Sequence, residues 1–414
     1  MRLRLTVAAA FFAAAFSFAA FGNAVWGFAA FEVPDGAGPS VRFDGMWFLD
    51  KDSAVSRQGM TEGDAIEFRY ICGGLSAGDC IQFGVCLEND GETAPAHFCL
   101  DVFDGGQWVA CREFDAVSSA VRHPSTCMII YSMQHAVADT LKARCRVCSP
   151  YATDGSLLSA ESKENRVSLK SKYYVGAKLL PLGPGDGLEE KSILLIGNSF
   201  TYFYGEAFML QEIAFSQGWK LDVHASLKGG QGFRQHCGLE MTRAMCTLDE
   251  PYDFAVFQGM SLEPARYAAN PVAYCDVKDA LLELCSLVRS GHPDGRLLVE
   301  ETWAYPVSKG EFKSIEQFRE RLERGSAVLS KAAGAGINPV GSAFERARLE
   351  APEIQLLHSD NKHQGLAGAY LKACITWLTI SGRTSFNGPV PSCGLPDSDA
   401  ATLRDIAESV AGER

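Results

Sequence analysis

The chain is poor in positive charge: 38 Lys and Arg stand against 50 Asp and Glu in 414 residues, a formal net charge of -12. A nucleic-acid binder needs a basic stripe to displace counterions from phosphates, so that class is excluded. Long apolar runs are scarce too. Beyond Phe21 no stretch is long and apolar enough to span a bilayer, which leaves no integral membrane domain once the N-terminal segment is set aside. Paired short cysteine spacings are missing: only Cys145-x-x-Cys148 has one, with no second pair to close a zinc tetrahedron, so no metal is assigned. There is no internal repeat and no low-complexity tract outside the first residues.

What is present suffices for folding. Hydrophobic residues make up 47% and charged residues 21%, enough apolar material for ordinary packed cores, and the length suits two domains. Arg2 and Arg4, the apolar run Leu5 to Phe21 and the small-x-small triplet Gly22-Asn23-Ala24 read as a secretory signal over residues 1–24. An N-terminal anchor is the alternative, although the run falls short of the roughly 20 residues a spanning helix needs. Export to a periplasmic, cell-surface or extracellular site is expected. The fourteen cysteines would then be free to form disulfides, whose pairing the spacing leaves open. Cys374, in an apolar helical stretch, suits core filling.

Residues 25–185 offer short alternating runs split by Gly, Asp and Asn. Ala65–Ile71, Cys80–Cys86, Cys99–Phe103 before the Gly105-Gly106 turn, Cys127–Tyr131 and Thr140–Cys145 predict strands, and together an all-β sandwich of jelly-roll type. Leu180 to Gly187 is a Pro/Gly linker. From 186 to 414 the pattern changes. Ser192-Ile193-Leu194-Leu195-Ile196 is a continuous apolar run, as for a strand buried on both faces. Further strands are predicted at Leu221–His224, Phe254–Phe257 and Leu297–Glu300. Helices are predicted over Phe208–Phe215, Val272–Arg289, Ser314–Ala333 and Leu366–Ile380. The last carries a single charge, Lys372, and must be largely enclosed. This α/β half suits a parallel sheet with helices on both faces.

In such a fold the chemistry gathers at the carboxyl ends of the strands. Gly197-Asn198-Ser199-Phe200-Thr201 ends the first: a serine there has an exposed hydroxyl and its N–H near a helix start, although Ser and Asn are also favoured helix caps. Asp360-x-x-His363 stands before the enclosed helix, at an offset that lets a carboxylate fix the imidazole tautomer; the same pattern is common in solvated loops. Lys228-Gly229-Gly230-Gln231-Gly232 and Gln258-Gly259-Met260-Ser261 end the second and third strands and offer N–H and amide donors where negative charge would develop. Plain turns are the alternative. The glycine loop lacks both the Gly-Lys-Ser/Thr ending of a P-loop and the Gly-x-Gly-x-x-Gly fingerprint.

The block order resembles that of the SGNH (GDSL-type) hydrolases. More narrowly, Ile196–Thr201, Lys228-Gly229-Gly230, Tyr252-Asp253-Phe254, Gln258, Glu301–Tyr305, Pro339-Val340-Gly341 and Asp360-x-x-His363-x-x-x-x-Gly368–Leu371 look like an SGNH-like branch common among exported bacterial proteins. The likeness covers about residues 190–385. It implies a flavodoxin-like doubly wound parallel sheet and a serine esterase that acts on small acyl groups, such as acetyl groups on carbohydrate, with no cofactor. Ser199 would be the nucleophile, His363 the base and Asp360 its orienting partner. The Ser199 N–H, the Gly230 N–H and the Gln258 side chain would form the oxyanion hole. Asn198 stands where the family often has Asp, and Gln258 where it usually has Asn, although some SGNH-like carbohydrate acetylesterases are similar in using a Gln-Gly pair. The partner expected is an acylated small molecule or glycan. A catalytically silent binding protein for glycans or surfaces is the competing class, and a lipase lacks a visible apolar lid. His224, His236 and His358 flank the motifs, Arg266 is a further polar candidate, and Trp303 and Tyr305 suit either a sugar-binding wall or the core. Glu300 and Glu301 are adjacent in a strand and point to opposite faces, so they do not flank one bond as a glycosidase pair would.

Overall fold

The computed structural model describes residues 25–28, 40–43, 47–50, 53–56, 65–71, 74–89, 96–116, 124–138, 140–149, 167–170, 176–180, 188–247, 252–306 and 311–413. The expected signal segment and the linker residues 181–187 lie outside them. Five parallel strands organise the C-terminal half: β1 (Glu189–Gly197), β2 (Trp219–Leu227), β3 (Phe254–Phe257), β4 (Arg296–Glu300) and β5 (Gly336–Asn338), in the spatial order β2-β1-β3-β4-β5. The apolar run in β1 follows from its place in the middle. Ile193 and Leu195 enter one core with Leu221, Val223, Val256 and Leu298, while Leu194 and Ile196 enter another with Ala255, Phe257, Leu297 and Val299. Helices Glu206–Ser216 and Leu366–Ser381 pack into the first core and Cys275–Gly291 into the second, so both faces are covered. The strand order reverses between β1 and β3, which opens a crevice at their carboxyl ends.

The strands expected in the β-rich half are present and somewhat longer than their apolar cores: Ala65–Ile71, Cys80–Asn89, Ala96–Asp104, Pro124–Ser132 and Thr140–Ser149. Five strands form an antiparallel sheet of their own, in the order Ser40–Phe43, Ala65–Ile71, Thr140–Ser149, Ala96–Asp104, Gln107–Ala116. The other sheet runs on into the C-terminal half. Pro124–Ser132 pairs antiparallel with β2, with Val223 opposite Met128, and Cys80–Asn89 pairs with Pro124–Ser132 in turn, giving twelve strands in one sheet. An edge strand carries a row of unpaired N–H and C=O groups, and this pairing removes that edge from β2. Side chains lock the junction. Gln211 Nε2 donates to the carbonyls of Met128 and Leu221 at 3.1 and 2.8 Å, and Gln82 Nε2 donates to Gln211 Oε1 at 2.9 Å.

The enclosed helix is Leu366–Ser381, and its one charge is among its most buried groups. Lys372 Nζ lies 2.9 Å from Glu206 Oε2 and 2.9 Å from Glu300 Oε1, and donates to the Phe200 carbonyl at 2.7 Å and to Thr201 Oγ1 at 3.3 Å. Burial works against the ammonium charge, but the two carboxyls outweigh it. Burial raises both carboxyls, against the pull of Lys372. Replacing Lys372 with Met removes the cation and strands two carboxyls in the core, so its urea midpoint should fall by the equivalent of about 3–5 kcal/mol. Adding Glu206→Gln and Glu300→Gln to that variant should recover part of the loss. A Lys372→Met protein as stable as the parent would remove the triad's structural role.

Candidate active site

At the end of β1 the chain turns sharply into the short helix Ser199–Tyr202. A Cβ on Gly197 would lie 2.6 Å from Thr201 Oγ1 and 2.8 Å from Gln258 Oε1, so this position requires glycine. Asn198 is the helix cap: its Oδ1 accepts the Phe200 N–H at 3.0 Å. Its Nδ2 donates to the carbonyls of Gln231 and Gly259 at 2.8 and 3.1 Å, which ties both loops to the turn. The cap falls on Asn198, and Ser199, the candidate nucleophile, is its neighbour. Ser199 is half-buried and stands at the first helical position, where an N–H has no intrahelical acceptor.

The loop before the enclosed helix reaches this serine. Ser199 Oγ and His363 Nε2 are 2.8 Å apart, and His363 Nδ1 and Asp360 Oδ2 are 2.5 Å apart. Asp360 Oδ1 also accepts the backbone N–H groups of Lys362 and His363, each at 3.0 Å. Desolvation works against the Asp360 charge, but the His363 ring and the two N–H groups outweigh it and hold the carboxyl down at about 2. An ionised Asp360 fixes the proton on Nδ1 and leaves Nε2 to accept from the serine. Phe203 stacks on the imidazole with centroids 4.3 Å apart and planes at 10°, and Phe200 meets its edge at 5.4 Å. Gln364, fully buried, donates to the carbonyls of Ser199, Phe200 and Phe203 at 3.3, 3.1 and 3.3 Å, stitching the histidine loop to the serine turn.

The two donor loops differ in placement. Gly229 and Gly230 are exposed, and Gly230 has φ +72 with open space where a Cβ would be. Gln258 lies beneath the turn, 1% exposed. Its Oε1 accepts the Asn198 N–H at 2.9 Å and the Thr201 hydroxyl at 3.1 Å, and its Nε2 donates to the Gly259 carbonyl. The Asn198 N–H dictates that orientation, because the reversed amide would set donor against donor. Gln258 therefore braces β1 against the loop after β3, with its amide held inside the protein.

Glu263, which the motifs did not flag, joins the same two loops. Its Oε2 accepts the N–H groups of Phe233 at 3.2 Å and Met260 at 2.8 Å. Burial pushes this carboxyl up against the pull of those donors. A Cβ on Gly232 or Gly259 would strike it, at 2.0 and 2.6 Å. Its sequence signal is slight: an acidic residue in the first turn of helix Glu263–Ala269, a preference many surface helices share.

The remaining candidates fall elsewhere. His236 is buried and held down at about 4 by burial, hence neutral; its Nε2 donates to the Gly197 carbonyl at 3.0 Å and its Nδ1 accepts from Thr242. His224 is buried at the sheet junction, where burial and Arg112 hold it down at about 3; Arg112 Nη2 lies 2.9 Å from its Nε2. His358 stays near the site, its Nδ1 2.7 Å from the hydroxyl of Tyr204, a residue in the left-handed region at φ +58. Trp303 is 1% exposed between Phe200 and Phe344, both stacked at 4.3 Å, and Tyr305 is buried against Ser261, so both belong to the core. Glu300 joins Lys372 and Glu301 accepts from Ser342 Oγ, consistent with their opposite faces. Arg266 pairs with Glu311. Replacing Glu263 with Ala leaves the buried Phe233 N–H and the partly buried Met260 N–H without their acceptor, and the denaturation midpoint should drop by roughly 1–3 kcal/mol. Gln at 263 keeps an acceptor oxygen and should lose less; equal losses for Ala and Gln would remove the loop-joining role.

No protein-family model matches the chain, and no curated protein does. Among solved structures the chain is similar to a DUF4886 family protein from Bacteroides uniformis, at 19% identity over 54% of this chain and 95% of that one, with a TM-score of 0.45. It is similar to a candidate SGNH hydrolase from Slackia heliotrinireducens, at 25% identity over 46% and 100%, TM-score 0.38. A family two carbohydrate esterase from Clostridium thermocellum in complex with cellohexaose is similar at 12% identity over 83% and 98%, TM-score 0.33. The solved structures similar to this chain thus include SGNH-hydrolase and carbohydrate-esterase folds.

Proposed function

We propose that this chain is an exported serine esterase of SGNH type, with a flavodoxin-like catalytic half, that removes acetyl or other small acyl groups from carbohydrate. The observation that carries the reading is the row Ser199 Oγ, His363, Asp360, with spacings of 2.8 and 2.5 Å between groups that are 164 and 3 residues apart in the chain. The sugar substrate rests on the motif resemblance and the expected export.

Ser199 Oγ attacks the ester carbonyl carbon while its proton passes to His363 Nε2. The imidazolium that forms is stabilised by Asp360, which keeps its charge, and held in orientation by Phe203. The carbonyl oxygen, now negative, takes hydrogen bonds from the Ser199 N–H at the helix start and from the Gly230 N–H. Collapse breaks the ester C–O bond, and the proton on His363 goes to the departing alcohol. Water then attacks the acyl-enzyme, gives its proton to His363, and releases the acid with Ser199 restored. Gln258 acts here as a brace for the Asn198 N–H, so the hole rests on two backbone donors. Loss of one oxyanion donor costs about 2.7–4 kcal/mol in systems where it has been removed, which sets the scale for a slower turnover.

That engaged Gln258 amide also favours the second reading, a catalytically silent protein that binds glycans or surfaces. Fluorophosphonate labelling and acetate release from acetylated glycans separate the two. The esterase should do both, and Ser199→Ala should abolish both. Asp360→Asn should stay folded and lose about 10³–10⁴-fold in turnover, through the wrong tautomer. A folded protein that takes no probe but is retarded on a glycan affinity gel would replace the esterase with the binding protein.

A further inference from the structure

The five-stranded sheet carries a cluster that hydrolysis does not use. Three neighbouring strands meet there: Cys99 on Ala96–Asp104 stands opposite Glu113 of Gln107–Ala116 on one side and opposite Arg146 of Thr140–Ser149 on the other. The register shifts between Val147 and Ser149, next to Cys148. The sulfurs of Cys99 and Cys148 and a carboxylate oxygen of Glu113 lie within 4.8 Å of one another. Cys99 is buried, Cys148 half-buried and Glu113 exposed, so the cluster has a closed floor and one open side. Neither cysteine is joined in a disulfide in this structure.

The surroundings suit a cation held by thiolates. Asp101, two positions along from Cys99, accepts from Arg144 Nε at 2.6 Å and from Arg146 Nε at 2.9 Å, so its own charge is matched by the two guanidiniums. Two sulfurs and one carboxylate oxygen form a soft donor set, and tetrahedral ligands at about 2.3 Å for sulfur and 2.0–2.2 Å for oxygen stand roughly 3.5–3.8 Å apart. Side-chain movement of about an ångström therefore closes the site.

We propose that Cys99, Cys148 and Glu113 bind one thiophilic divalent cation of the zinc type, with water as the fourth ligand. Binding replaces the two thiol protons, which leave to solvent, and no group changes oxidation state. The cation fastens the three strands of the five-stranded sheet together and shares no residue with the Ser199 row, so the proposal is independent of the esterase reading. The short spacing Cys145-x-x-Cys148 contributes only its second cysteine, because Cys145 is buried in the sheet's other packing.

Co²⁺ titration of the reduced full-length chain tests this. The expected result is thiolate-to-cobalt charge transfer with tetrahedral visible bands at one cation per chain, reversed by Zn²⁺, with proton release in weakly buffered solution. Cys148→Ser should weaken binding by more than the roughly 10–100-fold that loss of an outer-shell partner costs. Cys99→Ser should do the same, Glu113→Gln should weaken it less, and Cys285→Ser should leave it unchanged. Circular dichroism identifies any variant that fails to fold, and half-buried Cys148 is the position least exposed to that failure. Absence of the bands, or a folded Cys148→Ser protein that binds as the parent does, overturns the proposal. So does a Cys99–Cys148 linked peptide in the unreduced protein that reduction does not convert to a cobalt-binding form.

Discussion

One buried ammonium ties the C-terminal half together. Lys372 reaches from the enclosed helix through the first core to a carboxyl on helix Glu206–Ser216, a carboxyl at the end of β4 and the carbonyl of Phe200 in the serine turn. The segment from Phe200 to Glu206, the end of β4 and the enclosed helix thus share one cation. Taking such a charge out of water is costly, and replacing a buried ion pair by packed apolar residues is often neutral or stabilising. Its physical effect here is placement. The Phe200 carbonyl is fixed from below by Lys372 and from the side by Gln364, so the residue after Ser199 has little freedom to rotate.

A second constraint works from the loops. Asn198, Gln258 and Glu263 each spend polar atoms on backbone groups of neighbouring segments, so the turn after β1 and the loops after β2 and β3 form one hydrogen-bonded layer. Few of these atoms face solvent. The layer accounts for the glycines at 197, 232 and 259, where any Cβ would meet a side chain of that network. Gln258 belongs to the same layer, its Oε1 accepting the Asn198 N–H.

The sequence disclosed those parts of the fold whose cause is local. A continuous apolar run gave β1 because a strand between two helix layers has no polar face, and a helix with one charge gave an enclosed helix for the same reason. Ser199, Asp360 and His363 were legible because each sits in a short motif at a strand end or helix start. Other features depend on contacts between distant segments. Glu263 and Gln364 look like ordinary surface polar residues, and only the fold shows what they accept or donate. Trp303 and Tyr305 suited a sugar-binding wall as well as a core, and composition holds nothing to separate the two. The reach of Pro124–Ser132 across to β2 is equally silent in the sequence, since a strand that pairs within its own domain and one that pairs beyond it alternate alike.

That last pairing bears on how such a chain arises and is handled. The outermost parallel strand of the C-terminal half is paired on its far side by a strand from an upstream segment. Cutting between the halves would bare the stretch of β2 from Val223 to Ser226 that now pairs with Ser125 to Met128, and a bared strand edge is a template for pairing with another chain. The upstream half thus supplies the edge cover of the downstream one, carried on the same polypeptide and made before it.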